Sequence, residues 1–259
     1  MTRDLIRQEQ ARLRHDFDRD GYLSIPAFFD ADEVAELNAN TARFIREVVP
    51  GMPASEVYYE DKEDPSTLKQ LQMMWKHDAT FGALVAADGK LSALAQACLG
   101  EVPRPVNLQY FNKSPGANTP TPPHQDGYYF HLVPSHAITL WMALEDIGPE
   151  QGCVHYVQGS HRRGMRAHGP SGILGFSQAI LDFGTPVDRA QARSFPCRAG
   201  HLIAHHALTI HWAEGNQTAD RSRQALGAIF YAASAREDPV AKAAYQAQLD
   251  ARLARKGII

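Results

Sequence analysis

His124 and Asp126 are separated by one residue in the segment TPTPPHQDGYYF. Side chains at positions i and i+2 of a strand project from the same side, so this pair can offer an imidazole nitrogen and a carboxylate oxygen to one metal ion. Two such nitrogens and one carboxylate on a single face of an octahedron form the site of non-haem Fe(II) oxygenases, which leaves three positions open. A His-x-Asp pair alone is weak evidence, but this is the only one among twelve histidines.

A third ligand has to come from a later part of the chain, where four histidines fall within HLIAHHALTIHWA at 201–213. His205 and His211 are an even number of residues apart, so both can face the interior if the segment forms one regular strand. Most of these histidines are expected to be structural. His211 is favoured as a ligand because Arg221 and Arg223 follow it, and an enzyme that uses 2-oxoglutarate needs a bidentate arginine for the distal carboxylate.

These candidate residues lie in the part of the chain that is predicted to form β-structure. Apolar periodicity predicts helices over 2–18, 31–48 and about 81–99, with a short strand at 22–26. From Pro105 onward, short strand-like runs alternate with Gly, Pro and Ser clusters, which favours a sandwich or barrel. The predicted strands lie at 106–112, 137–147, 153–159, 194–197, 201–213 and 224–233.

Two further segments carry their own expectations. Residues 169–190 have no clear period and are predicted to form a long loop, of the kind that often serves as a functional lid. Residues 238–256 have the pattern of a charged amphipathic helix whose basic end suits the helix dipole. Because no linker divides the chain, we expect one domain over 1–259.

Composition narrows the class of protein and its partners. The 259 residues carry 26 basic and 29 acidic side chains, a formal net charge of −3, with 44% hydrophobic residues. Such a chain is too apolar for disorder and lacks the apolar run of a membrane-spanning helix. It has no positive field to bind nucleic acid or an anionic membrane, so the expected partner is a small molecule. Three widely spaced cysteines predict neither a disulfide framework nor a zinc site, and they favour the cytoplasm.

Three segments of the second half resemble one known family. TPTPPHQDGYYF, ITLWMALEDIGPEQGCVHYVQGSHRRG and IHWAEGNQTADRSRQALGAIFYA are similar to the phytanoyl-CoA dioxygenase family of Fe(II)/2-oxoglutarate-dependent oxygenases. The resemblance runs from about residue 105 to 233, with a weaker echo in GYLSIPAFFDADEVAEL. It implies a mainly β fold with flanking helices. A double-stranded β-helix (a cupin-like jelly roll) is expected over about 105–233, after a helical N-terminal portion over about 1–104 and before the C-terminal helix.

The resemblance also assigns roles to particular residues. The iron ligands correspond to His124, Asp126 and His211. An acid at position 126 argues against halogenases of similar sequence, which lack that carboxylate so that chloride can bind. The phrase DRSRQAL aligns the family's 2-oxoglutarate arginine with Arg223, and Arg221, on the same side of a strand, remains the alternative.

Three more residues match co-substrate contacts of the family. Gln109 lies on the strand before the His-x-Asp pair, and Trp141 corresponds to a tryptophan that lines the same pocket. Lys69, in STLKQLQ, matches a family lysine near the co-substrate. For Gln109 and Lys69, an ordinary strand-face amide and a solvated lysine are equally good interpretations.

The expected activity follows from this set of residues. The resemblance implies a dioxygenase that uses Fe(II), 2-oxoglutarate and O2 to hydroxylate a C–H bond of a small polar metabolite, with release of succinate and CO2. An acyl-CoA 2-hydroxylase of the same family is the first alternative. The others are a cupin-like metal enzyme that does not use 2-oxoglutarate, which has no need of the arginine pair, and a non-catalytic ligand-binding jelly roll. A complete set of ligands argues against the last of these.

Overall fold

The computed structural model describes residues 1–173, 176–245 and 247. Its α-helices are α1 (Arg3–Gln8), α2 (Gln10–Asp20), α3 (Ala31–Glu47), α4 (Met74–His77), α5 (Ala79–Leu84), α6 (Lys90–Leu99), α7 (Gly127–Phe130) and α8 (Pro186–Gln191). Residues 239–245 are also helical. Its strands are β1 (Tyr22–Ile25), β2 (Val57–Tyr59), β3 (Leu68–Leu71), β4 (Pro103–Lys113), β5 (Thr121–His124), β6 (Leu132–Val133), β7 (Ala137–Ala143), β8 (Val154–Val157), β9 (His168–Ile173), β10 (Phe176–Ile180), β11 (Ala192–Phe195), β12 (Leu202–His206), β13 (His211–Ala213), β14 (Arg223–Ala232) and β15 (Arg236–Glu237).

Two antiparallel sheets dominate the architecture. The large sheet has the order β1-β12-β7-β14-β4-β3-β2, and the small sheet has the order β11-β8-β13-β5. Side chains from both sheets line one cavity, so the sheets face each other across it. The predicted fold class, a mainly β jelly roll with flanking helices, is confirmed.

The capping of α3 explains why part of the N-terminal portion is helical. The Asp30 carboxylate accepts the Glu33 backbone N–H at 2.9 Å, and the Glu33 carboxylate accepts the Asp30 N–H at 3.0 Å. This reciprocal capping box begins the helix, and Pro50 follows closely after its end. Helix α3 then packs Phe44 against Phe81 of α5, with ring centroids 5.3 Å apart.

Helix α6 supports the strands that carry the functional side chains. It contacts β4, β7 and β14 on the outer face of the large sheet, and α1 and α2 cover it in turn. Leu94 of α6 and Leu140 of β7 are fully buried in this core. Burying each such leucine contributes about 1.5–3 kcal/mol, so the sheet has a rigid backing. No helix in the described part of the chain is long and apolar enough to span a membrane.

The two ends of the chain differ from the sequence prediction in detail. Beyond the predicted β1, the N-terminal portion adds β2 and β3, which extend the large sheet past β4. The predicted helix at about 81–99 is divided into α5 and α6 by a turn in which the Gly89 N–H donates to the Ala86 carbonyl at 2.9 Å. The predicted helix over 238–256 is present at 239–245, and apart from residue 247 the remainder lies outside the described residues.

Two predictions for the second half are wrong. The segment 169–190 is not a loop, because β9 and β10 pair as a hairpin and α8 follows them. The segment 201–213 is not one strand, because the chain leaves the large sheet after β12, turns, and enters the small sheet as β13. In this turn the Thr209 hydroxyl donates to the Gly21 carbonyl at 2.7 Å, and the Ile210 N–H donates to the Ser160 hydroxyl at 2.9 Å.

His206, at the end of β12, makes the fold sensitive to acid. Its Nδ1 accepts the Leu208 N–H at 3.0 Å, and the rings of His136 and His161 lie 6.0 and 5.5 Å away. Burial, and after it the two neighbouring histidines, lower the pKa of His206 from 6.5 to about 3. The unfolded chain therefore takes up a proton at this residue below about pH 6.5, whereas the folded chain does not.

The contribution of His206 to the free energy of unfolding therefore falls as the pH falls from 7 toward 3. We predict that His206→Asn, which keeps an acceptor near the Leu208 N–H, reduces this decline when urea unfolding is measured at pH 7 and pH 5. His15→Asn, at an exposed histidine of α2, is the matched control and retains the wild-type decline. An unchanged pH dependence in His206→Asn would show that this histidine does not titrate as described.

Candidate functional site

His124 and His211 lie opposite each other on β5 and β13, as register partners of the small sheet. Their ring centroids are 4.1 Å apart. Nδ1 of His124 donates to the Pro122 carbonyl at 2.8 Å, and Nδ1 of His211 donates to the Thr209 carbonyl at 3.1 Å. A carbonyl can only accept, so each ring carries a proton on Nδ1, and Nε2 is the nitrogen that faces Asp126.

Asp126 completes a cluster with these two imidazoles. Its Oδ1 lies 3.4 Å from Nε2 of His124 and 3.6 Å from Nε2 of His211, and one ligand atom from each residue lies within 4.8 Å of the others. The pair is predicted to lie in a strand or at its end. In the structure β5 ends at His124, and Asp126 adopts helical dihedrals (φ −56°, ψ −35°) at the start of α7. The strand end and the helical turn bring the pair together all the same.

The second carboxylate oxygen of Asp126 is held by the large sheet. The Thr139 hydroxyl of β7 donates to Oδ2 at 2.7 Å, and Nε2 of His205 on β12 lies 3.1 Å from the same oxygen. Nδ1 of His205 is 3.0 Å from the Tyr156 hydroxyl, which therefore donates to it when Nε2 donates to Asp126. Oδ2 is thus occupied by two donors, and Oδ1 remains directed at the imidazoles.

The electrostatics of the cluster favour the protonation states that bind metal. Burial opposes ionisation of Asp126, but His211, His124 and His205 more than offset it and lower the pKa of this carboxyl well below its usual range. Burial lowers the pKa of His211 well below its usual value, and His124 and His205 lower it further. At neutral pH, Asp126 is a carboxylate and His211 is a neutral imidazole, the forms that coordinate a metal ion.

Gln125, the middle residue of the His-x-Asp pair, fixes the turn, and sequence reasoning missed it. Its side chain is fully buried. Its Nε2 donates to the carbonyls of Leu208 at 2.7 Å and Gly164 at 2.9 Å, and its Oε1 accepts the Arg166 N–H at 2.8 Å. These three hydrogen bonds to two backbone segments, 164–166 and Leu208, hold the turn between His124 and Asp126 in place. A single sequence gives no signal for this role, because the partners are distant in the chain.

The cluster lines a cavity of about 340 Å³ between the sheets. Gln109 of β4 and Trp141 of β7, both predicted as co-substrate contacts, line it as well. Lys69 does not: its ammonium lies 2.8 Å from the Glu60 carboxylate, and the adjacent Gln70 lines the cavity instead. The structure therefore brings all predicted site residues except Lys69 to one cavity.

Arg223 lines the same cavity, at the start of β14. Only 4% of the residue is exposed, and its Nε has no hydrogen-bond partner among the residues that the structure describes. Burial lowers the pKa of its guanidinium to about 10, so it stays charged at neutral pH. The Glu145 carboxylate partly offsets this burial, and an anionic ligand in the cavity would in addition give Nε the hydrogen-bond acceptor that it lacks.

The alternative arginine, Arg221, points elsewhere. It is exposed, its guanidinium lies 2.7 Å from the Glu150 carboxylate, and it donates to Oε1 of Gln151 at 3.1 Å. Arg221 is therefore already paired at the surface. Of the two arginines, only Arg223 faces the metal-ligand cluster across the cavity.

Comparison with known proteins agrees with this site. Residues 17–225 match the family model described as phytanoyl-CoA dioxygenase (PhyH). The chain belongs to the phytanoyl-CoA dioxygenase family. Enzymes of this family depend on Fe(II), 2-oxoglutarate and O2, so the predicted cofactor and co-substrates are confirmed.

Three similar proteins illustrate the range of this family and of its fold. A phytanoyl-CoA dioxygenase of Arabidopsis thaliana is 34% identical over 163 residues, which cover 61% of this chain and 52% of that protein. A probable α-ketoglutarate-dependent hypophosphite dioxygenase of Stutzerimonas stutzeri is 25% identical over 218 residues, covering 83% of this chain and 75% of that protein. The epimerase SnoN, solved with Fe3+, α-ketoglutarate and a nogalamycin, is 28% identical with a TM-score of 0.71, covering 90% of this chain and 87% of that one. Membership of the phytanoyl-CoA dioxygenase family thus establishes the cofactors and leaves the substrate open.

The donor set of this family member fits iron. Two imidazoles and one carboxylate suit Fe(II), and one ligand atom from each residue lies within 4.8 Å of the others. The hydrogen bonds to Nδ1 and to Oδ2 orient all three, as the surroundings of metal sites commonly do.

Gly227 keeps space open beside the family's co-substrate site. It lies on β14 in register with Gln109 on one side and Trp141 on the other. A Cβ at this position would lie 2.9 Å from the Phe111 ring, which also lines the cavity. Even a small side chain would therefore push Phe111 into the cavity or fill the cavity itself.

We predict that Gly227→Val weakens 2-oxoglutarate binding by about tenfold or more while Fe(II) binding is retained. Overpacking of this kind costs about 1–3 kcal/mol, and the candidate iron ligands lie on β5, on β13 and at the start of α7. Equilibrium titration of each ligand measures the two affinities separately. Gly51→Val is the matched control, because a Cβ at Gly51 meets nothing within 4 Å. Unchanged 2-oxoglutarate affinity in Gly227→Val would place the co-substrate elsewhere.

Proposed function

We propose that the chain is a hydroxylase that inserts one atom of O2 into a C–H bond of a small polar metabolite. The reaction consumes substrate–H, 2-oxoglutarate and O2 and yields substrate–OH, succinate and CO2. One oxygen atom enters the product hydroxyl, and the other enters the new carboxylate of succinate. Two electrons from the C–H bond and two from the decarboxylation of 2-oxoglutarate reduce O2 completely.

In this proposal, the residues that hold iron are His124, Asp126 and His211. Bound Fe(II) supplies the activation of O2, and the protein supplies the geometry. The imidazoles offer Nε2 because their Nδ1 protons are donated to backbone carbonyls. Asp126 offers Oδ1 because Thr139 and His205 occupy Oδ2. Fe(II) held by these three ligands would keep three coordination positions for 2-oxoglutarate and O2.

Arg223 anchors 2-oxoglutarate in this proposal. Its guanidinium pairs with the distal carboxylate, which fixes the direction in which the keto-acid end meets the iron site. Gln109 and Trp141 flank the co-substrate, and Gly227 leaves room for it. Lys69 has no part in it, because its ammonium is bound to Glu60.

A single observation carries the proposal: a buried guanidinium, with no partner for its Nε among the described residues, shares one cavity with a His-Asp-His cluster. A cupin-like metal enzyme that does not use 2-oxoglutarate has no need for such a cation. A ligand-binding jelly roll without catalysis has no need for the cluster. An enzyme that uses both iron and 2-oxoglutarate needs the two together.

The acyl-CoA alternative has less support. Phosphates of coenzyme A need unpaired basic residues at the rim of the cavity. Among the described residues that line the cavity, Lys242 is the only basic side chain besides Arg223 and the histidines. Its ammonium lies 2.8 Å from the Glu237 carboxylate. Outside the cavity, Arg166 is paired with Asp182 and Asp188.

The proposal is tested by incubating the protein with Fe(II), 2-oxoglutarate, 18O2 and panels of metabolites. We expect one succinate for each product molecule, with one 18O in the product hydroxyl and one in succinate. The His124→Ala protein is the control and forms neither. A product whose oxygen comes from water, or product formation that does not require 2-oxoglutarate, would overturn the proposal.

A further inference from the structure

One wall of the cavity carries three carboxamides without a role in the iron and 2-oxoglutarate contacts proposed above. Gln70 lies on β3 and Gln72 directly follows that strand, whereas Asn107 lies on the neighbouring strand β4. All three line the cavity. We call Gln70, Gln72 and Asn107 the carboxamide patch.

Gln70 gives the carboxamide patch a buried hydrogen-bond acceptor that a ligand could satisfy. Only 3% of the residue is exposed, and its Oε1 has no hydrogen-bond partner among the residues that the structure describes. A buried acceptor left without a donor costs about 1–3 kcal/mol. A ligand that brings a hydroxyl or amide N–H to this oxygen would recover that free energy.

Asn107 is oriented to donate. Its Oδ1 accepts the Met73 backbone N–H at 2.8 Å, which leaves its NH2 group for the cavity that it lines. Met73 has a left-handed backbone with φ 58°, an uncommon conformation for a residue with a side chain. Such conformations persist where the surrounding structure holds them, and they cluster at ligand sites.

The register of the large sheet puts Asn107 at the iron end of the cavity. Arg223 is opposite Lys113 of β4, whereas Asn107 is opposite Ile229, six residues or about 20 Å further along. Ile229 also pairs with Thr139, whose hydroxyl binds the iron-ligand candidate Asp126. Asn107 therefore borders the space near the iron site, where the reacting carbon lies in the proposed reaction. Gln70 pairs with Phe111, which is opposite Ala225, so the carboxamide patch extends from there along the cavity toward Arg223.

This part of the cavity offers no unpaired charge. Apart from the histidine–aspartate cluster and Arg223, the charged side chains among the described cavity-lining residues are Glu237 and Lys242, which pair with each other at 2.8 Å. The other surfaces there are aromatic or apolar, among them Phe130, Tyr231 and Ile229. A ligand with a full charge would lose its hydration here without gaining a partner.

From this arrangement we infer that the substrate, under the proposed function, is an uncharged ring compound bearing several hydroxyl groups, such as a sugar or a glycoside. Hydroxyls can donate to Gln70 and accept from Asn107, and the ring packs on the aromatic wall. A cavity of about 340 Å³ also has to hold 2-oxoglutarate, so one ring of the substrate enters it. The proposal excludes zwitterions and acyl-CoA thioesters as substrates.

The test uses the full chain loaded anaerobically with Fe(II) and 2-oxoglutarate. Three panels are titrated against it by calorimetry: methyl and aryl glycosides with cyclic polyols, then amino acids and betaines, then acyl-CoA thioesters. We expect saturable binding in the first panel only. Binding confined to the second or third panel, or no binding in the first, overturns the inference.

Two variants show whether the carboxamide patch makes the contacts. Gln70→Met removes the unpartnered oxygen at nearly constant volume, and Asn107→Leu removes the donor. Each should weaken binding of the neutral ligand by about tenfold, whereas Gln96→Met, on the exposed side of α6, leaves it unchanged. Unchanged affinity in both variants overturns the inference. The charge-transfer band of the Fe(II)–2-oxoglutarate complex is recorded in every sample, so loss of the proposed function is distinguished from a wrong substrate class.

Discussion

Replacing Asp126 with alanine will abolish Fe(II) binding and reduce 2-oxoglutarate turnover by at least about 10³-fold. Loss of a residue that only orients a ligand lowers metal affinity or activity by about 10–100-fold, and loss of a ligand should exceed this. Asp126 also supplies the only carboxylate of the His124–Asp126–His211 cluster, so its removal leaves two imidazoles and no negative charge there for the cation. Equilibrium dialysis with Fe(II) and succinate release measure the two effects.

The fold should survive this change. The lowered pKa of Asp126 means that its carboxylate stabilises the folded chain at neutral pH, and its loss also leaves Thr139 and His205 without this partner. Circular dichroism without metal should therefore resemble that of the unaltered chain, whereas the Tm should be lower. Asp146→Ala is the control, because Asp146 is a surface carboxylate paired with Arg198. Stoichiometric Fe(II) binding by Asp126→Ala would remove this residue from the ligand set.

Replacing Arg223 with methionine will raise the Kd for 2-oxoglutarate by about 30-fold or more. Removing one partner of a buried charge pair costs about 2–5 kcal/mol, and each 1.4 kcal/mol is about tenfold in affinity. Fe(II) affinity should be unaffected, because the metal-ligand cluster does not include this residue. Methionine keeps most of the volume, so the effect reports the charge and its hydrogen bonds.

Arg221→Met is the matched control for Arg223→Met. Arg221 is exposed and paired with Glu150, so its loss should leave the affinity for 2-oxoglutarate unchanged. Thermal stability gives a second readout. Saturating 2-oxoglutarate should raise the Tm of the wild-type and Arg221→Met proteins and have little effect on Arg223→Met. The reverse order of the two variants would show that Arg221 is the anchor.

Much of the site could be predicted from short-range patterns together with the family resemblance that they carry. The single His-x-Asp pair, the distal His211 and the phrase that selects Arg223 identified the residues that meet at the cavity. Even so, the reasoning for the pair was incomplete. Two residues on one strand face share a side, but Asp126 lies beyond the strand, and the hydrogen bonds of Gln125 bring it round.

The segment 201–213 marks the limit of periodicity as a guide. Its alternation is compatible with one strand, and the turn at 207–210 contains neither Gly nor Pro. Contacts from Gly21 and Ser160, both distant in sequence, hold that turn. As a result, His205 and His211 face the cavity from opposite sheets. His205 contacts the Asp126 carboxylate but is not itself one of the predicted ligands.

The contacts around the predicted ligands could not be predicted from sequence patterns. Thr139 and His205 contact Asp126, and Tyr156 contacts His205. The three residues come from three strands and are brought together only by the pairing and packing of the sheets. Gln70 was not predicted as a site residue, because its charged neighbour Lys69 was chosen instead. In the structure Lys69 pairs with Glu60, and Gln70 lines the cavity. A resemblance can name a residue, but which of two neighbours faces the cavity depends on tertiary structure.

Anaerobic titration of the chain with Fe(II) and 2-oxoglutarate tests the central claim most directly. The account predicts a weak visible charge-transfer band that saturates at one Fe(II) and one 2-oxoglutarate per chain. The band should be absent in Asp126→Ala, and it should require far more 2-oxoglutarate in Arg223→Met than in Arg221→Met. A folded wild-type protein that shows no band at saturating concentrations, and forms no succinate when O2 is admitted, would contradict the account.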